Sequence, residues 1–142
     1  RFDNGAKGIL HASQISAGEE NDLNIRVYGT KGGFQWFQMS PNSLHVKWLD
    51  KPKETLRTGG ANLYPVSEAH TRIPAGHPEG YLEAFANIYR NFAYCVQARL
   101  KGEMPNKIHE DFPTVADGLR GMQFIEKVVA SSQSDQKWLP FE

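Results

Sequence analysis

Leu23-Asn24-Ile25-Arg26-Val27-Tyr28, Gly29-Thr30-Lys31-Gly32-Gly33 and Phe34-Gln35-Trp36-Phe37-Gln38-Met39 run on without a break, and the architecture is worked out from them. Leu23, Ile25 and Val27 alternate with Asn24, Arg26 and Tyr28, the period-two pattern of a strand with one buried face. Phe34 to Met39 reads as a second strand, with large apolar groups at both parities. The glycine run between them resembles a phosphate loop, because glycines let backbone N–H groups approach an anion. Such loops are followed by a helix, however, and here a strand follows. A hairpin turn is the expectation.

Downstream, Leu44, Val46 and Trp48 alternate with His45 and Lys47, and Glu54 to Thr58 adds a short strand beyond Lys51-Pro52-Lys53. Turns this short favour antiparallel neighbours, since a parallel crossover needs a dozen or more residues. Upstream, Lys7 to Ala17 is extended and mixed in polarity, ending in the polar turn Glu19-Glu20-Asn21-Asp22. Residues 59 to 78 hold Gly59-Gly60, Pro65, Pro74, Gly76 and Pro78, which predicts a long loop with no regular element.

Two helices follow. Leu82, Phe85, Tyr89, Phe92, Val96 and Leu100 make an apolar stripe from about Glu79 to Lys101. Val115, Leu119, Met122, Ile125 and Val129 make another, with Thr114 and Asp117 spaced as a capping box. Gly118 and Gly121 weaken that helix, and close approach to a sheet would offset the cost. An extended tail runs from Lys137 to Phe141. Strands followed by helices predict an α+β fold: an open, largely antiparallel sheet with helices packed on one face. Tyr28, Phe37, Met39 and Leu49 suggest that the opposite face is not wholly polar, which predicts its use for oligomerisation.

The 142 residues suit one folding unit, 1–142, of 39% hydrophobic and 23% charged composition. Sixteen basic residues balance sixteen acidic ones, so no net field favours nucleic acid or an anionic membrane. No apolar run approaches the ~20 residues of a membrane helix, and no signal-peptide layout is present. The single Cys95 cannot form an internal disulfide, so a reducing, cytoplasmic setting is expected. Arg1-Phe2-Asp3-Asn4-Gly5 has no initiator Met and reads as opening inside a larger protein.

Histidines 11, 45, 70, 77 and 109 lack metal-ligand spacing. His77 differs in context, lying in Arg72-Ile73-Pro74-Ala75-Gly76-His77-Pro78-Glu79-Gly80-Tyr81, a stiffened loop that runs into a helix N-terminus, where unpaired N–H groups favour polar oxygens. His77 therefore either orders the loop or caps the helix, or else contacts substrate. Glu79, read as first-turn, suits the helix dipole. Asp50-Lys51-Pro52 reads as a solvated turn, and no Gly-x-Gly-x-x-Gly occurs.

Several of these segments resemble the C-terminal domain of the glucose-fructose oxidoreductase and inositol dehydrogenase family, Gfo/Idh/MocA. They are Phe2 to Gly8, Ala12-Ser13-Gln14, Val27 to Gly33, Pro74 to Tyr81 continuing through Ala84 to Tyr89, and Ala116 to Leu119, with Trp138 near the end. The resemblance implies a two-domain enzyme whose N-terminal Rossmann domain, absent from this chain, binds NAD(P). The present domain would supply the substrate-side wall for a sugar or polyol, with His77, Arg72 and Tyr81 as binding residues, and would pair with other subunits as a dimer or tetramer. The family's Glu-Lys-Pro lysine and Asp-x-x-x-His pair have no counterpart here, so this chain alone is expected to be inactive. A standalone α+β binding or assembly module is the alternative; it would bind a ligand without the missing half.

Overall fold

A computed structural model describes residues 1–61, 63–136 and 138–141. The chain divides into two compact units, Arg1–Gly60 and Ala61–Glu142.

The first unit is a four-stranded antiparallel meander, ordered β1 (Asn24–Tyr28), β2 (Gly32–Phe37), β3 (Ser43–Trp48) and β4 (Glu54–Arg57). Tyr28 pairs with Gly33, and Gly29 N–H donates to Gly32 O at 2.8 Å, so the glycine run is the expected hairpin turn. The next turn is closed by Ser40 N–H on Phe37 O (3.0 Å) and by the Trp36 indole N–H on Pro41 O (3.0 Å). Lys51 pairs with Glu54 across the last turn at 3.1 Å and lies 4.1 Å over the Trp48 ring. Lys7 to Ala17 has an extended sequence pattern but joins no strand.

Pairing register sorts the side chains by face. Opposite partners share a face, so Ile25 with Trp36, Val27 with Phe34, Phe34 with Val46, and Leu44 with Leu56 place one apolar set together. Val46 at its centre is buried, whereas Ile25, Val27, Phe34 and Leu56 stay 43% to 56% exposed. The opposite face is mostly polar. There Lys47 donates to Gln35, Arg57 donates to the Ser43 hydroxyl (2.6 Å), and His45 meets Thr55 (3.1 Å). Tyr28 and Phe37 keep this face from being wholly polar, as expected, whereas Met39 and Leu49 do not belong to it. Tyr28 and Phe37 end rows of that face, and Met39 and Leu49 lie in turns beyond the strand ends.

The second unit contains α1 (Pro65–His70), α2 (Tyr81–Leu100) and α3 (Val115–Ser132), with a 3-10 turn at Lys107–His109. Helix α1 falls inside the span predicted to be irregular. Pro65 occupies the first helical turn, where a missing N–H costs nothing and a fixed φ is already helical, so it starts an element there. The stripe on α2 is exposed, Leu82 by 77% and Leu100 by 82%; the buried positions of that helix are Asn87 and Asn91. A Cβ built at Gly118 or Gly121 meets nothing within 4 Å. Of the expected tail, Lys137 lies outside the described residues, and Trp138 to Phe141 form no regular element.

Both long helices start with a carboxylate three residues after the cap. Thr114 and Asp117 form the expected box, each side chain bonding the other's backbone N–H. At α2 the cap is Gly80, which has no side chain, so only half a box exists: Glu83 accepts from Gly80 N–H at 2.8 Å. The Gly80 N–H holds Glu83 below the usual carboxylate range, and the Thr114 hydroxyl does the same for Asp117. A carboxylate lowered on folding contributes stability that is fully present above its ordinary value and lost as pH falls through the lowered one. Circular dichroism should therefore show helix loss setting in below pH 4.5, less of it in Asp117→Asn; equal loss in both would dismiss the α3 box as the cause.

Candidate functional site

The loop from Arg72 to Tyr81 is built by α2 and by what leads into it. Pro74 and Pro78 fix two φ angles, and Gly76 turns the chain at φ +88°, a conformation that side chains beyond glycine rarely adopt. His77 stands exposed at this turn, its backbone N–H on Pro74 O at 3.2 Å and its Nδ1 3.1 Å from the same oxygen. A carbonyl only accepts, so Nδ1 is assigned the hydrogen. Nε2 of the neutral ring then carries a lone pair with no partner among the described residues.

Glu79 is not in the first helical turn as expected, because Gly80 is the cap and α2 begins at Tyr81. Instead the Glu79 side chain is buried, with Oε1 accepting from Arg72 N–H (2.8 Å) and Ile73 N–H (2.9 Å). Arg72 extends the attachment: its Nε donates to Asn87 Oδ1 at 2.9 Å, and Asn87 Nδ2 donates to His70 O at 2.7 Å.

One helical turn further on, Asn91 is fully buried. Its Nδ2 lies 2.8 Å from His70 Nε2 and 3.5 Å from Asp111 O. His70 Nδ1 is 2.6 Å from Val66 O, so the same logic assigns Nδ1 the hydrogen and makes Nε2 the acceptor for Asn91. Asp111 Oδ2 is 3.6 Å from that nitrogen. Arg90 donates to Ala69 O at 2.7 Å. The buried face of α2 thus works by amide groups that satisfy the backbone of the segments crossing it, not by apolar packing.

The three residues singled out from the sequence are near one another in the chain but are held separately. Arg72 is engaged with Asn87, His77 with Pro74, and the exposed Tyr81 stacks its ring 4.8 Å from that of Phe85. Among the described residues no hydrogen bond or ring contact joins the three. Sequence reasoning missed Asn87, Asn91, His70 and Asp111. The available signal was the i, i+4 spacing of two asparagines inside an otherwise apolar helix, since buried polar side chains come with partners.

Among the described residues no group of three His, Cys, Asp or Glu side chains could hold a metal ion, and no helix is long and apolar enough to cross a membrane. Because Gly29 to Gly33 connects two strands of one hairpin, these residues do not build the strand–turn–helix cradle that a dinucleotide pyrophosphate needs.

An antiparallel sheet followed by helices is an α+β arrangement, and the sequence match shows which family of such domains the chain falls in. It belongs to the Gfo/Idh/MocA family: the family described as "Oxidoreductase family, C-terminal alpha/beta domain" matches residues 1–141. The uncharacterized oxidoreductase YfiI of Bacillus subtilis (strain 168) is 33% identical over 141 residues, which cover 99% of this chain and 36% of that protein. An oxidoreductase from Sinorhizobium meliloti aligns with a TM-score of 0.83 and 43% identity over 90% of this chain and 35% of its own. An inositol dehydrogenase homolog from Azotobacter vinelandii, solved with NADH and myo-inositol, aligns with a TM-score of 0.76 and 31% identity over 85% of this chain and 32% of its own. The chain therefore spans about a third of the length of these relatives.

Proposed function

We propose that this chain is the substrate-side domain of an NAD(P)-dependent oxidoreductase acting on a polyol or sugar, the dinucleotide being bound mainly by a separate N-terminal Rossmann domain. The observation that carries the reading is the Arg72–Tyr81 loop, fixed in place and presenting an imidazole acceptor at its turn. A polyol offers hydroxyl donors, and a neutral His77 Nε2 is the kind of partner that orients one. Tyr81 and the Arg72 guanidinium add a phenol and a cation beside the same loop. The Azotobacter vinelandii homolog, solved with myo-inositol and NADH, supports the polyol class and the nicotinamide. The half-exposed apolar sheet face supports assembly into a dimer or tetramer through a second subunit, and the lone Cys95 thiol suits a cytoplasmic setting.

In the full-length enzyme assayed with myo-inositol and NAD⁺, His77→Ala is expected to raise KM for the polyol about tenfold, the equivalent of one lost hydrogen bond. Unchanged kinetics at normal stability would show that His77 only orders its loop.

A further inference from the structure

We propose that Glu79 is a positioning residue whose carboxylate fixes the substrate loop against the start of α2, a role that rests on the reading of Arg72–Tyr81 as the polyol-facing loop. Three observations converge on it. Glu79 is 9% exposed, an unusual place for a carboxylate, and burial demands that it be bonded. Its Oε1 takes two consecutive backbone N–H groups, Arg72 and Ile73, from the far limb of the loop. Residues 74–78 between these points are exposed, and among the described contacts the turn holding His77 is fastened at its neck by this side chain together with the Arg72–Asn87 bond.

Charge-assisted bonds to N–H groups are about twice as strong as neutral ones, and both end on one oxygen, so removing it releases two donors at once. The loop then pivots about Gly76, and His77 samples positions away from the substrate hydroxyl. Misplacement by about 1 Å is enough to cost a large factor in a pre-organised site. Glu79 touches neither substrate nor cofactor in this scheme, and it acts through the position of His77. Glutamine keeps a side-chain oxygen of the same reach and should restore most of the function, whereas alanine should not.

The test compares wild-type, Glu79→Gln and Glu79→Ala full-length enzymes, using myo-inositol and NAD⁺ as probes and hydrogen–deuterium exchange over peptides spanning residues 71–80. Expected for Glu79→Ala are a roughly tenfold rise in KM for myo-inositol, an unchanged KM for NAD⁺, and faster exchange at Arg72 and Ile73 by about a hundredfold. Glu79→Gln should lie within about threefold of wild type in all three. Unchanged protection at Arg72 and Ile73 in Glu79→Ala overturns the proposal, and so does a parallel rise in the NAD⁺ KM. A glutamine variant as impaired as the alanine one does the same. A wild-type enzyme inert toward myo-inositol overturns the polyol reading alone, and the exchange measurement then decides by itself whether Glu79 fastens the loop.

Discussion

Asn91→Leu should destabilise the protein by about 2 kcal/mol, read as a lowered urea midpoint in far-ultraviolet circular dichroism. Leucine has the same number and branching of side-chain heavy atoms and is bulkier, so none of the loss comes from a cavity. The loss comes from the groups left behind. Asn91 has no exposed surface, and its amide donates toward His70 Nε2 and Asp111 O. His70 cannot compensate by switching tautomer, because Nδ1 would then face Val66 O without a hydrogen, at 2.6 Å. An unsatisfied buried acceptor costs about 1–3 kcal/mol; the part-buried His70 carries most of that penalty, because Asp111 is exposed. A midpoint within error of wild type would mean that water reaches these acceptors once the amide is gone.

Gly32→Ala should cost about as much, by a different route. A Cβ at Gly32 would stand 2.2 Å from Lys47 O, with Trp48 Cα at 3.3 Å, and both are backbone of the neighbouring strand. Nothing flexible is available to give way, so β2 and β3 must separate where Gly32 pairs with Trp48. Steric intrusion of this kind typically costs about 1–3 kcal/mol, and separating the strands disturbs ladder bonds as well. Faster amide exchange at Lys47 to Leu49 in the variant is the specific readout; exchange at wild-type rates would show that the sheet absorbs the methyl group by twisting.

The strands were legible because alternation is a local property. Leu44, Val46 and Trp48 announce one face of β3 without reference to any other residue, and the pairing confirms it. The identity of the apolar face was less accessible. Phe34, Trp36 and Phe37 put bulk at both parities, and only the end of β2 at Phe37, with Met39 already in the turn, shows which set lies together. Helix α1 was missed because Pro65 signals both interruption and initiation, and the choice depends on where the chain turns next.

The candidate site was legible in part for a similar reason. His77 stood out through its neighbours Pro74, Gly76 and Pro78, and the structure does place it at an exposed turn. Glu79 was misread because a shift of two residues in the helix start moves it from the dipole's reach to the neck of a loop, and helix boundaries are the least determined feature of a sequence pattern. Asn87 and Asn91 find their partners 15 to 21 residues away in the chain, beyond anything that spacing along a helix can reveal.

The meander order of β1 to β4 bears on how the polypeptide comes together. Each ladder joins strands adjacent in the chain, so no pairing waits for a distant segment, and the entropy lost on closing each turn is small. Hairpins of this size zip in microseconds, whereas a ribosome adds residues on a timescale of tenths of a second. Residues 24–57 can thus settle into their ladders during synthesis, while the α2 and α3 segments are still being made.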